Sequence, residues 1–171
     1  MIKTSIIILL LILFSTPAFS QEIISDAKIK FDLPNEKWAL KSQKEVNGKT
    51  LFIYKRDPIQ YKRRSIIPNI SIITESVNDS ADAVTYSIQK RMQAPFNIEK
   101  VFTWEDETIK FQNAIGYLAA YEDQYGKHKI YVIHAINNGI GLQFFFDVTE
   151  DVFKKVKPEF QATMKSISEI E

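Results

Sequence analysis

Cysteine is absent from this 171-residue chain. Its absence removes disulfides, thiol catalysis and thiolate metal sites together. Lipid attachment also needs a cysteine beside a leader cleavage site, so the protein is not expected to be a lipoprotein. Glycine is scarce: the five present form no phosphate loop, no dinucleotide fingerprint and no G-x-S-x-G elbow, and Gly139-x-Gly141 lacks a third. Histidine occurs twice. An excess of one charge is missing too, with 22 Lys+Arg against 21 Asp+Glu. That balance excludes a generally basic nucleic-acid binder. Beyond residue 20, no apolar run approaches the roughly eighteen residues of a membrane-spanning helix.

What is present begins with a leader. Lys3 supplies a positive start, Ile6 to Phe14 (IIILLLILF) is apolar throughout, and Pro17-Ala18-Phe19-Ser20 follows. Ala18 and Ser20 put small residues at the −3 and −1 positions of a signal-peptidase site, which places cleavage before Gln21. As a helix the apolar run extends only about 14 Å, against a bilayer core of about 30 Å. Residues 1–20 therefore read as a removable signal peptide, and residues 21–171 as one domain exported to the periplasm or out of the cell. The leader carries one cation and no acid, so the remainder is neutral.

The mature chain alternates strand and turn signals. Residues 21–27 read as an irregular start, and Lys28–Leu33 as a strand with Ile29, Phe31 and Leu33 on one face. Extended runs at Trp38–Val46 and Lys49–Arg56 flank Asn47-Gly48, a type I′ hairpin signal. Residues 57–65 read as a loop and Ile66–Glu75 as a strand whose start Pro68 confines to an edge or bulge. A helix is expected over 79–93, capped from Asn78, Asp79 and Ser80, with Ala81, Val84, Ile88 and Met92 as its buried stripe. Ala94-Pro95 ends it, Ile98–Glu105 is a strand, and the acidic run Glu105–Glu107 a solvated turn.

A meander follows through Ile115–Tyr125, Lys129–Asn137 and Ile140–Thr149, with turns at Gly126-Lys127 and Asn138-Gly139. Both faces of its middle strand are apolar, which calls for cover on both sides. The last helix starts at Thr149 and buries Val152, Val156, Phe160, Met164 and Ile167, with a kink or restart at Pro158. The whole is α+β, a mainly antiparallel sheet with helices on both faces.

Two stretches carry a resemblance. Phe31-x-Leu33-Pro34 followed by Trp38, and Phe153-x4-Pro158-Glu159-Phe160-x3-Met164-x-Ser166-Ile167, resemble the opening and the terminal helix of the PsbP-like and DcrB-like family. The order of elements between them is similar, so the resemblance spans about residues 28–167. It implies a three-layer α/β/α sandwich and a non-enzymatic binding or assembly role, and it brings no catalytic motif.

The site candidates are few. His128 and His134 share a strand face but lie about 20 Å apart, too far to hold one ion. No metal, cofactor or catalytic set is therefore expected. The one local charge excess is Lys55-Arg56-Asp57-Pro58-Ile59-Gln60-Tyr61-Lys62-Arg63-Arg64. Lys55, Arg56, Lys62, Arg63 and Arg64, with Tyr61 as a packing surface, are the candidate contacts for phosphates, acidic glycans or the acidic surface of a protein partner in the envelope, the alternative being a charged loop that keeps a hairpin edge solvated. Phe144, Phe145, Phe146, Trp38 and Trp104 read as core. The resulting expectation is a non-catalytic exported binding protein. The alternatives are a small-ligand or lipid carrier with an apolar pocket beneath the last helix, and a hydrolase using His134 with carboxylates.

Overall fold

Asn47-Gly48 and Asn138-Gly139 each place two successive residues at positive φ, 53° and 73° in the first pair and 50° and 71° in the second. Asparagine and glycine tolerate that region, and the resulting turn matches the twist of the strands it joins. Both are hairpins in a computed structural model that describes residues 20–78, 81–94 and 96–170. The leader and the expected caps Asp79 and Ser80 lie outside the described residues.

The strands are β1 (Gln21–Ile24), β2 (Ile29–Asp32), β3 (Trp38–Val46), β4 (Lys49–Arg56), β5 (Ile59–Tyr61), β6 (Arg64–Ile66), β7 (Asn69–Ser76), β8 (Asn97–Phe102), β9 (Ala114–Asp123), β10 (Gly126–Asn137), β11 (Ile140–Thr149) and β12 (Ser168–Glu169). The helices are α1 (Ala83–Arg91) and α2 (Glu150–Ser166), with a 3₁₀ turn at Trp104–Asp106. Seven strands make one antiparallel sheet in the order β3-β4-β7-β11-β10-β9-β8, and β1-β2-β12 make a small second sheet. The protein is a mostly antiparallel α+β fold.

Several expectations need correction. Residues 21–24 are not irregular: β1 pairs with β2 from Gln21↔Asp32 onward. The loop at 57–65 contains the short β5–β6 hairpin. The meander's first turn falls at Gln124-Tyr125, because Gly126 already pairs with Asp123. The α2 helix runs unbroken through Pro158. Thr149 occupies its N-cap position, but its hydroxyl makes no capping bond.

The largest correction concerns α1. Its cap is Asp82, whose carboxylate accepts from the Thr85 N–H at 2.9 Å. Its buried residues are Ala83, Tyr86 and Ser87, while Val84, Ile88 and Met92 are exposed. The apolar stripe therefore points outward and a polar one inward.

The main core forms where Tyr131, Ile133 and Ala135 of β10 and Phe144 and Phe146 of β11 meet Val156, Phe160 and Met164 of α2. Phe31 of β2 inserts edge-on against both Tyr54 and Phe144, with ring centroids 5.7 and 6.0 Å apart. The other parity of β10, Ile130 and Val132, packs with Tyr117, Ala119, Phe96 and Phe145 in a smaller cluster. Both outer strands are irregular: β3 carries a register shift between Leu40 and Ser42, and β8 one between Ile98 and Lys100.

A Cβ on Gly116 would lie 1.9 Å from the ring of Phe102, which is itself fully buried. Gly116→Ala is expected to destabilise by about 1–3 kcal/mol through overpacking. Urea denaturation should show a lower midpoint at constant slope. An unchanged midpoint would mean that the ring swings aside freely.

Candidate functional site

One half of the sheet face that carries α1 is open. The register sets its rows: Lys49 beside Glu75, Leu51 beside Ile73, Ile53 beside Ser71, and Lys55 beside Asn69. Lys44 extends the Leu51 row. Contacts of α1 run to β9 and β10, so Leu51, Ile53 and Ile73 are half-buried and belong to neither apolar cluster. At its end this face deepens into a cleft of about 650 Å³ walled by Lys55, Arg64, Ile67 and Tyr125, with Asn69, His128 and Asp147 among its lining residues.

His128 and Asp147 anchor the floor of that cleft. His128 Nδ1 lies 2.9 Å from Asp147 Oδ1, and the Tyr121 hydroxyl donates to Asp147 Oδ2 at 2.9 Å. The Tyr121 ring stacks on the imidazole at 4.6 Å. Burial, with Asp147 beside it, raises the Tyr121 hydroxyl well above the usual tyrosine range. His128 Nε2 lies 3.3 Å from Asp123 Oδ1 but is buried and makes no hydrogen bond. Neither ring nitrogen opens into the cleft: Nδ1 faces Asp147 and Nε2 is buried. The cluster is therefore a rigid floor, which sequence reasoning missed because its parts come from three strands.

The six sequence-predicted contact residues separate into different environments. Arg56 is buried and makes a two-pronged bond to Glu159 of α2: Nε to Oε2 at 2.8 Å and Nη2 to Oε1 at 2.9 Å. The Trp38 indole N–H adds 2.7 Å to the same carboxylate. Burial opposes the Glu159 charge, but the hydrogen bonds from Arg56 and Trp38 outweigh it and hold the carboxyl below its ordinary range. Arg56 is thus spent on holding α2 to the sheet and presents no free guanidinium to a partner, contrary to the sequence expectation. Tyr61 packs against the main core. Arg64 pairs with Asp151. Lys62, at positive φ in the β5–β6 turn, stands 5.1 Å from the Tyr61 ring centroid. Among the described residues Lys55, Lys62 and Arg63 make no ion pair.

His134 lies beneath α1. Its Nδ1 is 2.9 Å from Ser87 Oγ, and Ser87 in turn bonds the Tyr117 hydroxyl. Ser87 is fully buried, and the adjoining cavity of about 30 Å³ has room for a water and no more. Nearby, Glu75 holds α1 down by accepting from Tyr86 at 2.8 Å and pairing with Lys90; its second oxygen meets Lys49 at 2.9 Å. Burial works against the Glu75 charge, yet these donors bring its carboxyl down to about 2. The polar inner stripe of α1 is therefore satisfied from the sheet.

The solution structure of cyanobacterial PsbP (CyanoP) from Synechocystis sp. PCC 6803 superposes with a TM-score of 0.51 at 11% identity, covering 91% of this chain and 95% of that one. The fold is PsbP-like. A crystal structure from Bacteroides thetaiotaomicron VPI-5482 matches with a TM-score of 0.52 at 10% identity over 88% of this chain, which spans only 48% of the other. At such identities the likeness concerns the fold alone. No protein-family model and no curated protein matches the sequence.

Two stability tests follow from the buried charges. Burial and the Lys90 ammonium push His134 from 6.5 down to about 4, so the unfolded chain binds this proton first. Stability is complete above about pH 6.5 and falls toward pH 4, by about 3 kcal/mol in all. Denaturation at stepped pH should show that slope in the wild type and lose it in His134→Gln; equal slopes would remove the assignment. Glu159→Leu strands Arg56 and should cost about 3–5 kcal/mol. Adding Arg56→Met should recover part of that loss, and simple additivity of the two changes would refute coupling.

Proposed function

We propose that this chain is an exported, non-catalytic accessory protein that binds an acidic segment of a protein partner on the open half of its sheet. The reading includes removal of the leader before Gln21 and a three-layer α/β/α body, with the two helices on opposite faces of the sheet. No helix among the described residues is long and apolar enough to cross a membrane.

The observation that carries the proposal is the Leu51–Ile53–Ile73 floor between Lys44, Lys49 and Lys55, running into the cleft. Apolar area without a covering element marks an interaction surface, and lysines on its rim select a partner of opposite charge. Glu75, the acid within this border, is shared by Lys49 and Lys90, which leaves the rim cationic. Lys62 and Arg63 carry the same sign in the turn of the β5–β6 hairpin, next to Arg64 in the wall of the cleft. The closed space around Ser87 and His134 and the buried Nε2 of His128 support a binding role over hydrolysis. Val156, Phe160 and Met164 fill the space beneath α2, where a lipid would have sat.

The test is retention of partners from envelope extracts by the mature protein. A protein should be retained at low salt, released as screening increases, and lost in the Lys44→Glu/Lys55→Glu variant, whose positions are exposed. Retention indifferent to both changes, or no retained protein at all, overturns the reading.

A further inference from the structure

Ten large apolar residues are exposed among those described, and five of them gather at one place. Val84, Ile88 and Met92 form a stripe along α1 at four-residue spacing, and Met92 is 81% exposed. Val101 on β8 lies beside Tyr117, on the same side of the sheet as α1. Trp104 shares a hollow with Val84, Asp82 and Glu105. This patch is separate from the open half-sheet, because Tyr86 and Lys90 of α1 face Glu75 on one side while Val84 faces the 3₁₀ turn on the other.

We propose that a second copy of this chain covers the patch, with the two α1 helices packed antiparallel about a two-fold axis. Such an interface must be self-complementary, and α1 meets that condition in shape and charge. With Ile88 on the axis, Val84 faces the partner's Met92 and Met92 faces the partner's Val84. Glu105 of the acidic turn lies at the N-terminal end of α1, beside Ala83 and Val84, and Arg91 lies at the C-terminal end on the flank shared with Val84. An antiparallel arrangement sets Arg91 against the partner's Glu105, whereas a parallel one would bring like charges together. Among the described residues Arg91, Glu105 and Glu107 have no ion-pair partner within the chain, so the pairing is available. The register shift in β8 disfavours joining edge to edge through backbone hydrogen bonds, which leaves side chains as the contact. A nine-residue helix is only about 13.5 Å long, so the contact is smaller than a standard interface and its dimer dissociates on dilution.

Sedimentation of the mature chain over a wide concentration range tests this directly. A reversible monomer–dimer equilibrium is expected. Ile88→Glu should weaken it by about a hundredfold, because it places two carboxylates on the axis. All changed positions are exposed, so folding is checked by an unaltered urea midpoint. Arg91→Glu should weaken the dimer, and Glu105→Arg added to it should restore it. A monomer at every concentration overturns the inference, as does failure of the charge reversal to restore association. A monomer that instead holds a different protein through Ile88 would also overturn it, by giving the patch another occupant.

Discussion

The fold depends on one carboxylate. The α2 helix supplies Val156, Phe160 and Met164 to the main core, and hydrophobic burial alone would let it slide along the sheet. Glu159 sits among those residues, next to Phe160, and receives three directed bonds, two from Arg56 at the end of β4 and one from Trp38 at the start of β3. Directed, charge-assisted bonds have angular preferences that apolar contacts lack. They fix the helix in rotation and in height, and they tie it to the same strands whose opposite face is open. The position of the candidate surface therefore depends on a contact buried behind it.

The two helices are held by contrasting means. On α2 an apolar stripe meets an apolar sheet face, and a sequence pattern of that kind can be read directly. On α1 the inner stripe is Tyr86, Ser87 and Lys90, each satisfied by Glu75, His134 or Tyr117 from strands far away in sequence. Buried polar groups are tolerated only when paired, and here the pairing is complete enough to reverse the usual orientation of an amphipathic helix.

That contrast explains which features were legible. The two Asn-Gly turns, the α2 stripe and the doubly apolar β10 all depend on neighbours within a few residues, and each appears where its pattern places it; the strand expected over Ile66–Glu75 starts instead at Asn69, after Pro68, and that expected over Ile98–Glu105 ends at Phe102. The facing of α1 depends on Asp82 as the cap, and on partners between 11 and 47 residues away. No local rule ranks Ser87 as more buried than Ile88. The same limit applies to the site. Lys55, Lys62 and Arg63 stand out as a charge run, but Arg56 in the middle of that run belongs to α2's anchor, and Glu159 gives no local sign of it. The His128–Asp147–Tyr121 floor is likewise assembled only by register.

The seven-stranded sheet ends in two open margins, and a register shift interrupts each of them. Lys41 and Lys44 sit on one margin and Lys100 on the other. A strand from another molecule, brought alongside either margin, would meet misaligned amides and exposed ammonium groups that a ladder would have to bury. Growth by endless lateral stacking is thereby frustrated at both ends. A chain without disulfides is in this way kept from open-ended stacking, and any contact it makes has to be built from side chains and come to a finite stop.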